Sequence, residues 1–138
     1  TRRIGLIMLL AVLVGTVASA YLKDYAVERE RPDLEYLGSE LPIKIEGDTT
    51  VLGGQGSFPS GHVIRASVIA FVLGYVISDR FPRGWVLLWI FPACMALSRV
   101  YLLQHYPMDV LGGILFGIII AGILSSKLKL PKMDNSKI

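Results

Sequence analysis

The stretch IGLIMLLAVLVGTVASAYL, residues 4–22, contains nineteen consecutive uncharged residues. As an α-helix it would be about 28 Å long, which matches the hydrocarbon thickness of a bilayer. An N-terminal apolar run behind basic residues is also typical of a signal peptide, and VASA has the small residues of a cleavage site. The run is longer than the usual apolar part of a signal peptide. We therefore predict that it is a transmembrane helix.

Three further apolar segments follow, and 53% of the chain is hydrophobic against 18% charged, unlike an ordinary soluble domain. The sequence predicts an all-α fold, a polytopic transmembrane helical bundle in a single domain of residues 1–138. Four spans are visible, at 4–22, 62–78, 85–103 and 110–126. The spacing Gly113-x3-Gly117 predicts close helix packing within the monomer. Whether helices precede Thr1 and complete a larger bundle is left open.

Basic residues are grouped on one predicted side of the membrane. They are Arg2, Arg3, Arg80, Arg83, Lys127, Lys129 and Lys132. The connection 23–60 lies on the other side, and its first part, 23–48, has four basic and eight acidic residues. Because positive loops stay in the cytoplasm, we predict a multi-pass protein of the cytoplasmic membrane with cytoplasmic termini and an extracytoplasmic 23–60 segment. The net charge of +3 is thus orientation charge and does not indicate nucleic-acid binding.

Ionisable residues lie near the outer ends of the predicted spans. Such residues are costly at a bilayer, so a functional role is the default hypothesis for them. Three of them, Lys23, Arg31 and Arg99, are permanent cations. Free N–H groups are expected at Ser60 and Gly61, where Ser60 is the predicted N-cap of the second span. Together these groups suit a multiply charged oxyanion such as phosphate.

Two histidines, His62 and His105, and one carboxylate, Asp109, accompany the cations. A histidine can attack phosphorus if a carboxylate holds its other ring nitrogen. A second histidine can protonate the leaving oxygen. The single Cys94 excludes an intramolecular disulfide and a cysteine metal cluster. Because the two histidines are far apart without a further ligand cluster, no metal and no cofactor is expected.

Two motifs resemble those of the type 2 phosphatidic acid phosphatase superfamily, which includes the vanadium haloperoxidases and glucose-6-phosphatase. They are PSGH at 59–62 and SRVYLLQHYPMD at 98–109, which has the pattern S-R-x5-H-x3-D. The first motif of the family, K-x6-R-P, is similar to KDYAVERERP at 23–32. This stretch has one extra residue between Lys23 and Arg31.

The resemblance implies a role for each motif residue. His105 would be the nucleophile that forms a phosphohistidine, and Asp109 would orient it. His62 would act as the acid for the leaving group and then as the base for water. The phosphoryl oxygens would be held by the remaining motif residues, Lys23, Arg31, Ser60, Gly61 and Arg99.

Two positions are not covered by the complete motifs. On an ideal helix the step from Lys23 to Arg31 turns about 80° beyond two full turns. A π-bulge between them, or an earlier helix end, would absorb the extra residue and let Lys23 reach the phosphate. Arg65 follows His62 by three residues and shares roughly its helical face. It either contacts the substrate or is a snorkelling or ion-paired residue.

These features predict a metal-independent membrane phosphatase with its site at the level of the lipid headgroups. The expected substrate is a lipid phosphate or pyrophosphate, of the phosphatidic acid, phosphatidylglycerol phosphate or polyprenyl pyrophosphate type. The expected partners are this substrate and membrane lipids, without nucleic acid, and the oligomeric state is open. Two alternatives remain. One is a vanadate-dependent haloperoxidase-like enzyme, and the other is a non-enzymatic anion-binding membrane protein.

A cysteine introduced at position 137 tests the predicted topology. Because the C-terminus is predicted to be cytoplasmic, a membrane-impermeant thiol reagent should label Lys137→Cys only after the cells are permeabilised. Glu40→Cys, in the predicted outer segment, is the control and should be labelled in intact cells. Both variants are made without Cys94, and labelling is measured by gel shift. Labelling at position 137 in intact cells would mean that the topology is inverted.

Overall fold

The computed structural model describes residues 2–26 and 56–133 of the chain. Within these ranges all regular secondary structure is helical, which confirms the predicted all-α bundle. The helices are α1 (Arg2–Tyr21), α2 (Gly61–Ile77), α3 (Gly84–Leu88), α4 (Ile90–Tyr101) and α5 (Pro107–Lys127). A π-helical turn, Leu22–Ala26, continues α1.

Among the described residues, three helical segments are long and apolar enough to cross a membrane: Arg2–Tyr25, Gly84–Tyr101 and Pro107–Lys127. The helix at the second predicted span, α2, is apolar but has only 17 residues. At about 25 Å it is at the lower limit of a span. It packs against α1, α3, α4 and α5 and is therefore the central helix of the bundle.

The third predicted span, 85–103, is not one continuous helix. It is interrupted at Trp89, whose N–H donates to the Val86 carbonyl at 3.1 Å, a step of three residues instead of four. Pro92 explains the interruption, because proline has no N–H and its ring clashes with the carbonyl four residues earlier. The second piece ends at Tyr101, two residues before the predicted end.

Two glycines of α5 bring its backbone against α2. A Cβ atom at Gly113 would lie 2.9 Å from the Ser60 carbonyl oxygen. A Cβ atom at Gly117 would lie 2.6 Å from the Ser67 Cβ and 2.9 Å from the Ile64 carbonyl oxygen. The Gly113-x3-Gly117 spacing therefore permits close packing within the monomer, as predicted.

Three contacts join the helix ends that lie opposite the start of α2. Arg3 Nη2 donates to the Leu128 carbonyl, Met133 N–H donates to the Val76 carbonyl, and Lys132 Nζ donates to Asp79 Oδ1, each at 2.9 Å. The bond to Asp79 raises the pKa of Lys132 above its usual value. Since the start of α1 meets the ends of α2 and α5 here, α1 runs antiparallel to both, and their basic residues gather at one end.

Substitution of Gly117 tests the close approach of α5 to α2. Gly117→Ala should lower the free energy of unfolding by about 1–3 kcal/mol, because its Cβ would collide with backbone that cannot move alone. Gly122→Ala on the same helix is the control, since its Cβ would lie 3.8 Å from Phe71 Cζ, an ordinary contact. It should leave stability unchanged or raise it by up to about 1 kcal/mol. Thermal unfolding in detergent measures both, and equal midpoints would contradict the packing.

Candidate active site

His105 lies in the link between α4 and α5, and its side chain is only 4% exposed. Its Nδ1 atom is 2.7 Å from the backbone carbonyl oxygen of Ser57. A carbonyl oxygen can only accept a hydrogen bond, so Nδ1 carries the proton and donates it. In the neutral ring Nε2 is then the basic nitrogen, and it is the atom suited to nucleophilic attack.

Asp109 is fully buried in the first turn of α5, which begins at Pro107, three residues before the predicted span. Its Oδ2 atom accepts the Tyr106 N–H at 2.8 Å and therefore caps the helix. The same oxygen lies 3.8 Å from His105 Nδ1. The carboxylate is close enough to act on the histidine electrostatically, but the shorter contact of Nδ1 is with the Ser57 carbonyl. No sequence motif indicates that partner, because it is a backbone atom.

Phe58 fastens the segment before α2 to α5. Its ring lies so close to Gly112 that a Cβ atom there would collide with it. The ring also packs edge-on against Phe116, with 6.3 Å between centroids. These contacts hold Ser57 against His105. Phe58 was not among the predicted site residues, since its neighbours on α5 are more than fifty positions away in sequence.

Ser60 is the N-cap of α2 as predicted, but its side chain makes no capping hydrogen bond. Its backbone N–H donates to the Asp109 carbonyl at 3.0 Å, so the expectation of a free Ser60 N–H is wrong. The buried Ser60 hydroxyl has no hydrogen-bond partner in the part of the chain that the structure describes. The groups here that suit a phosphate oxygen are therefore this hydroxyl and the N–H of Gly61, which has no acceptor within the helix.

Lys23 lies in the π-helical turn that continues α1 and is 8% exposed. A π-turn absorbs one residue relative to an α-helix. It is therefore the π-bulge that the extra residue between Lys23 and Arg31 predicts, one of the two predicted options. The Lys23 backbone also touches the segment before α2, because a Cβ atom on Gly56 would lie 2.9 Å from the Lys23 carbonyl oxygen. Arg31, the partner of Lys23 in the motif, lies outside the described residues.

Arg99 lies in the last turn of α4. Its neighbour Val100 packs against the core cluster of Val63, Ala96 and Val110, so this turn lies at the same end of the bundle as the first turns of α2 and α5. Arg99 Nε is buried and has no hydrogen-bond partner within 2–26 and 56–133. An unsatisfied buried donor is unusual and costly, and a guanidinium is well suited to a phosphate oxygen.

The link from Arg99 to His105 has a defined backbone. Gln104 N–H donates to the Arg99 carbonyl at 3.1 Å, and Leu103 has a φ of 54°. A leucine in this left-handed region costs about 1–2 kcal/mol. Such strain is concentrated at functional sites. The left-handed conformation of Leu103 turns the chain after α4 so that His105 faces the segment before α2. The sequence did not suggest this turn.

The structure therefore brings most of the predicted site residues to one end of the bundle. They are Lys23, Ser60, Gly61, His62, Arg99, His105 and Asp109. Within the described ranges no group of three or more His, Cys, Asp or Glu side chains could hold a metal ion. The arrangement combines a buried histidine, whose Nδ1 donates to a carbonyl, with buried donors at Ser60 and Arg99 that have no partner among the described residues.

Comparison with known proteins finds several phosphatases that are similar to this chain. Similar proteins include phosphatidylglycerophosphatase B of Bacillus subtilis, 29% identical over 123 residues that cover 84% of this chain and 54% of that protein. The putative undecaprenyl-diphosphatase of Escherichia coli is 40% identical over 72 residues, 52% of this chain and 34% of that protein. Decaprenylphosphoryl-5-phosphoribose phosphatase of Mycobacterium tuberculosis is 33% identical over 109 residues, 79% of this chain and 53% of that protein.

The chain spans about half of the length of these relatives, or less. No solved structure matches it. Residues 3–130, however, match the family model of the PAP2 superfamily, and this range includes both complete motifs and every described residue of the site. The chain belongs to the PAP2 superfamily, the type 2 phosphatidic acid phosphatases that its motifs resemble.

Proposed function

We propose that this chain carries the active site of a membrane phosphatase that hydrolyses a lipid phosphate or pyrophosphate through a phosphohistidine, without a metal ion. The supporting observation is the buried His105, whose Nδ1 lies 2.7 Å from the Ser57 carbonyl and 3.8 Å from the Asp109 carboxylate. The relatives described above are, by their names, phosphatases of phosphatidylglycerophosphate, undecaprenyl diphosphate and decaprenylphosphoryl-5-phosphoribose.

In the first step Nε2 of His105 attacks phosphorus. The P–N bond forms as the bond from phosphorus to the leaving oxygen breaks, and His62 gives that oxygen a proton. The imidazole ring gains positive charge during attack. The Nδ1–H bond to Ser57 keeps the ring oriented, and the Asp109 carboxylate stabilises the charge at short range in a buried environment.

The phosphoryl oxygens are held by groups that are in place before the substrate arrives. Such preorganised donors stabilise the charge that develops in the transition state. They are Lys23, the Ser60 hydroxyl, the Gly61 N–H and Arg99, and Arg31, which lies outside the described residues, is expected to join them. In the second step water attacks phosphorus, the P–N bond breaks, and His62 accepts the proton of water. The two steps release phosphate and restore the enzyme without a redox partner.

The position of the site in the bundle supports a lipid substrate. His105 and Asp109 lie at the ends of apolar helices whose exposed faces carry leucine and isoleucine, as on α5 at Leu111, Leu115 and Ile119. An acyl or prenyl chain that lies along such a face leaves its phosphate at the level of the site. We place this end on the extracytoplasmic side of the cytoplasmic membrane, because the basic residues gather at the other end.

Removal of the nucleophile tests the proposed chemistry. His105→Ala should lower phosphate release by about a thousandfold or more, because the covalent route is lost. Release is measured in detergent with EDTA from phosphatidic acid, phosphatidylglycerol phosphate, a prenyl diphosphate and a soluble sugar phosphate. Met108→Ala, 62% exposed in the first turn of α5, is the control and should keep wild-type activity. Full activity of His105→Ala would rule out the nucleophile.

The same preparation separates the two alternative functions. The wild-type protein is also assayed for halide oxidation with added vanadate and peroxide. Halide oxidation without phosphate release would favour a haloperoxidase-like enzyme. Binding of phosphate without hydrolysis of any substrate would favour an anion-binding membrane protein. Phosphate release in the presence of EDTA tests the expected independence from metal ions.

Replacement of Asp109 separates its charge from its role as a helix cap. Asp109→Asn keeps an oxygen that can accept the Tyr106 N–H but removes the negative charge beside His105. We expect kcat to fall about 10²- to 10⁴-fold, as for other carboxylates that support a catalytic histidine, with little change in Tm. Asp109→Ala should in addition lose about 1 kcal/mol of stability, since the cap is lost. Wild-type kcat in Asp109→Asn would show that the carboxylate is only a cap.

A further inference from the structure

Arg65 lies on the same side of α2 as His62 but belongs to neither complete motif. The two residues are three positions apart, or about 60° around the helix, and both are half-buried. The other residues of the first two turns are buried: Gly61, Val63, Ile64, Ala66, Ser67 and Val68. His62 and Arg65 thus share the face of this helical segment that the described chain leaves partly open.

The side chain of Arg65 is turned toward the start of α2. Its Nε atom donates to the Gly61 carbonyl at 3.2 Å. The position that a Cβ atom would take on Gly61 is 3.8 Å from Arg65 Nη2 and 2.9 Å from Ser19 Oγ. Ser19 precedes Lys23 by four residues, so Arg65 Nη2 lies beside Gly61 at the start of α2, where this helix meets the Lys23 end of α1.

The charge of Arg65 is not neutralised within the described residues, where no carboxylate forms an ion pair with it. A half-buried arginine among apolar helices is costly unless it has a functional partner. Its position adds a cation to the site on the His62 side, whereas Arg99 approaches from α4. The two arginines therefore approach the site from different helices.

The chemistry of the leaving group suggests what Arg65 binds. His62 is the proposed acid for the leaving oxygen, so the leaving group lies along the face that His62 and Arg65 share. In a simple lipid monophosphate the leaving group is an alcohol, which has no charge for a guanidinium. In a lipid diphosphate it is a second phosphate, and its oxygens match the donors of an arginine.

We propose that Arg65 binds the second, lipid-linked phosphate of a diphosphate substrate, so that the site prefers lipid diphosphates to lipid monophosphates. This proposal rests on the proposed function. His105 forms a P–N bond with the terminal phosphorus as the bridging P–O bond breaks, and the bridging oxygen leaves with a proton from His62. The lipid monophosphate departs, and water then releases inorganic phosphate from His105. Arg65 stabilises the leaving phosphate through N–H donors.

A pair of prenyl substrates with the same chain, one a diphosphate and one a monophosphate, tests this role. Arg65→Met keeps the approximate length of the side chain but removes the charge. The ratio of kcat/KM for diphosphate to kcat/KM for monophosphate should fall about 10- to 100-fold, the value of a charged hydrogen bond. The kcat/KM for monophosphate should change less than about threefold. Arg65→Lys should keep part of the preference, because the charge remains.

Arg80→Met is the matched control. Arg80 is an exposed cation beyond the far end of α2, where it lies over the Phe81 ring, and its loss should leave the ratio unchanged. An unchanged ratio in Arg65→Met, or an equal loss on both substrates, would overturn the proposed role. If the wild-type protein releases phosphate from neither substrate, that result would instead contradict the proposed function.

If Arg65→Met does not give folded, monodisperse protein, an inhibition measurement on the wild-type protein tests whether the site binds a second phosphate. Methylenediphosphonate and methylphosphonate are compared as competitive inhibitors of monophosphate hydrolysis. The diphosphonate should bind about tenfold more tightly or better, because it offers oxygens to Arg65 as well as to the groups around His105. Equal inhibition constants would overturn the proposal.

Discussion

The hydrogen bond from the Ser60 N–H to the Asp109 carbonyl, 3.0 Å long, joins the first turns of α2 and α5. It forms because Gly113 and Gly117 let the two helices approach to backbone contact. Each of these first turns carries part of the site: Gly61 and His62 on one, Asp109 on the other. Larger residues at the glycines would separate the two turns, and with them Gly61 and His62 from Asp109.

Backbone groups orient the His105 and Asp109 side chains. The Ser57 carbonyl sets the tautomer of His105, and the Tyr106 N–H holds the Asp109 carboxylate. The segment that presents Ser57 is fastened by Phe58. A carbonyl can only accept, so it holds the ring in one tautomer at any pH at which the ring is neutral. The Asp109 carboxylate lies farther from the ring, at 3.8 Å from Nδ1.

The polar groups at the two ends of the bundle differ in their hydrogen bonding. At the end opposite the site, Arg3, Lys132 and the Met133 N–H close contacts between helix ends. At the site end, Arg99 Nε and the Ser60 hydroxyl are buried without partners among the described residues. Polar groups at the first end bond to one another, whereas these two at the second end remain able to bond to a ligand. Packing of α2 against its neighbours connects the two ends.

The sequence by itself determined the helical class, the types of residue in the candidate site and the distortion near Lys23. These follow from local patterns: apolar length, motif spacing and one extra residue. The break at Trp89 was also local, since Pro92 causes it, but the apolar composition of the span concealed it. Only the tertiary structure decided that the Ser57 carbonyl meets His105 and that the Ser60 N–H is already bonded. Backbone groups are the same at nearly every position, so no residue type marks which of them will meet across the bundle.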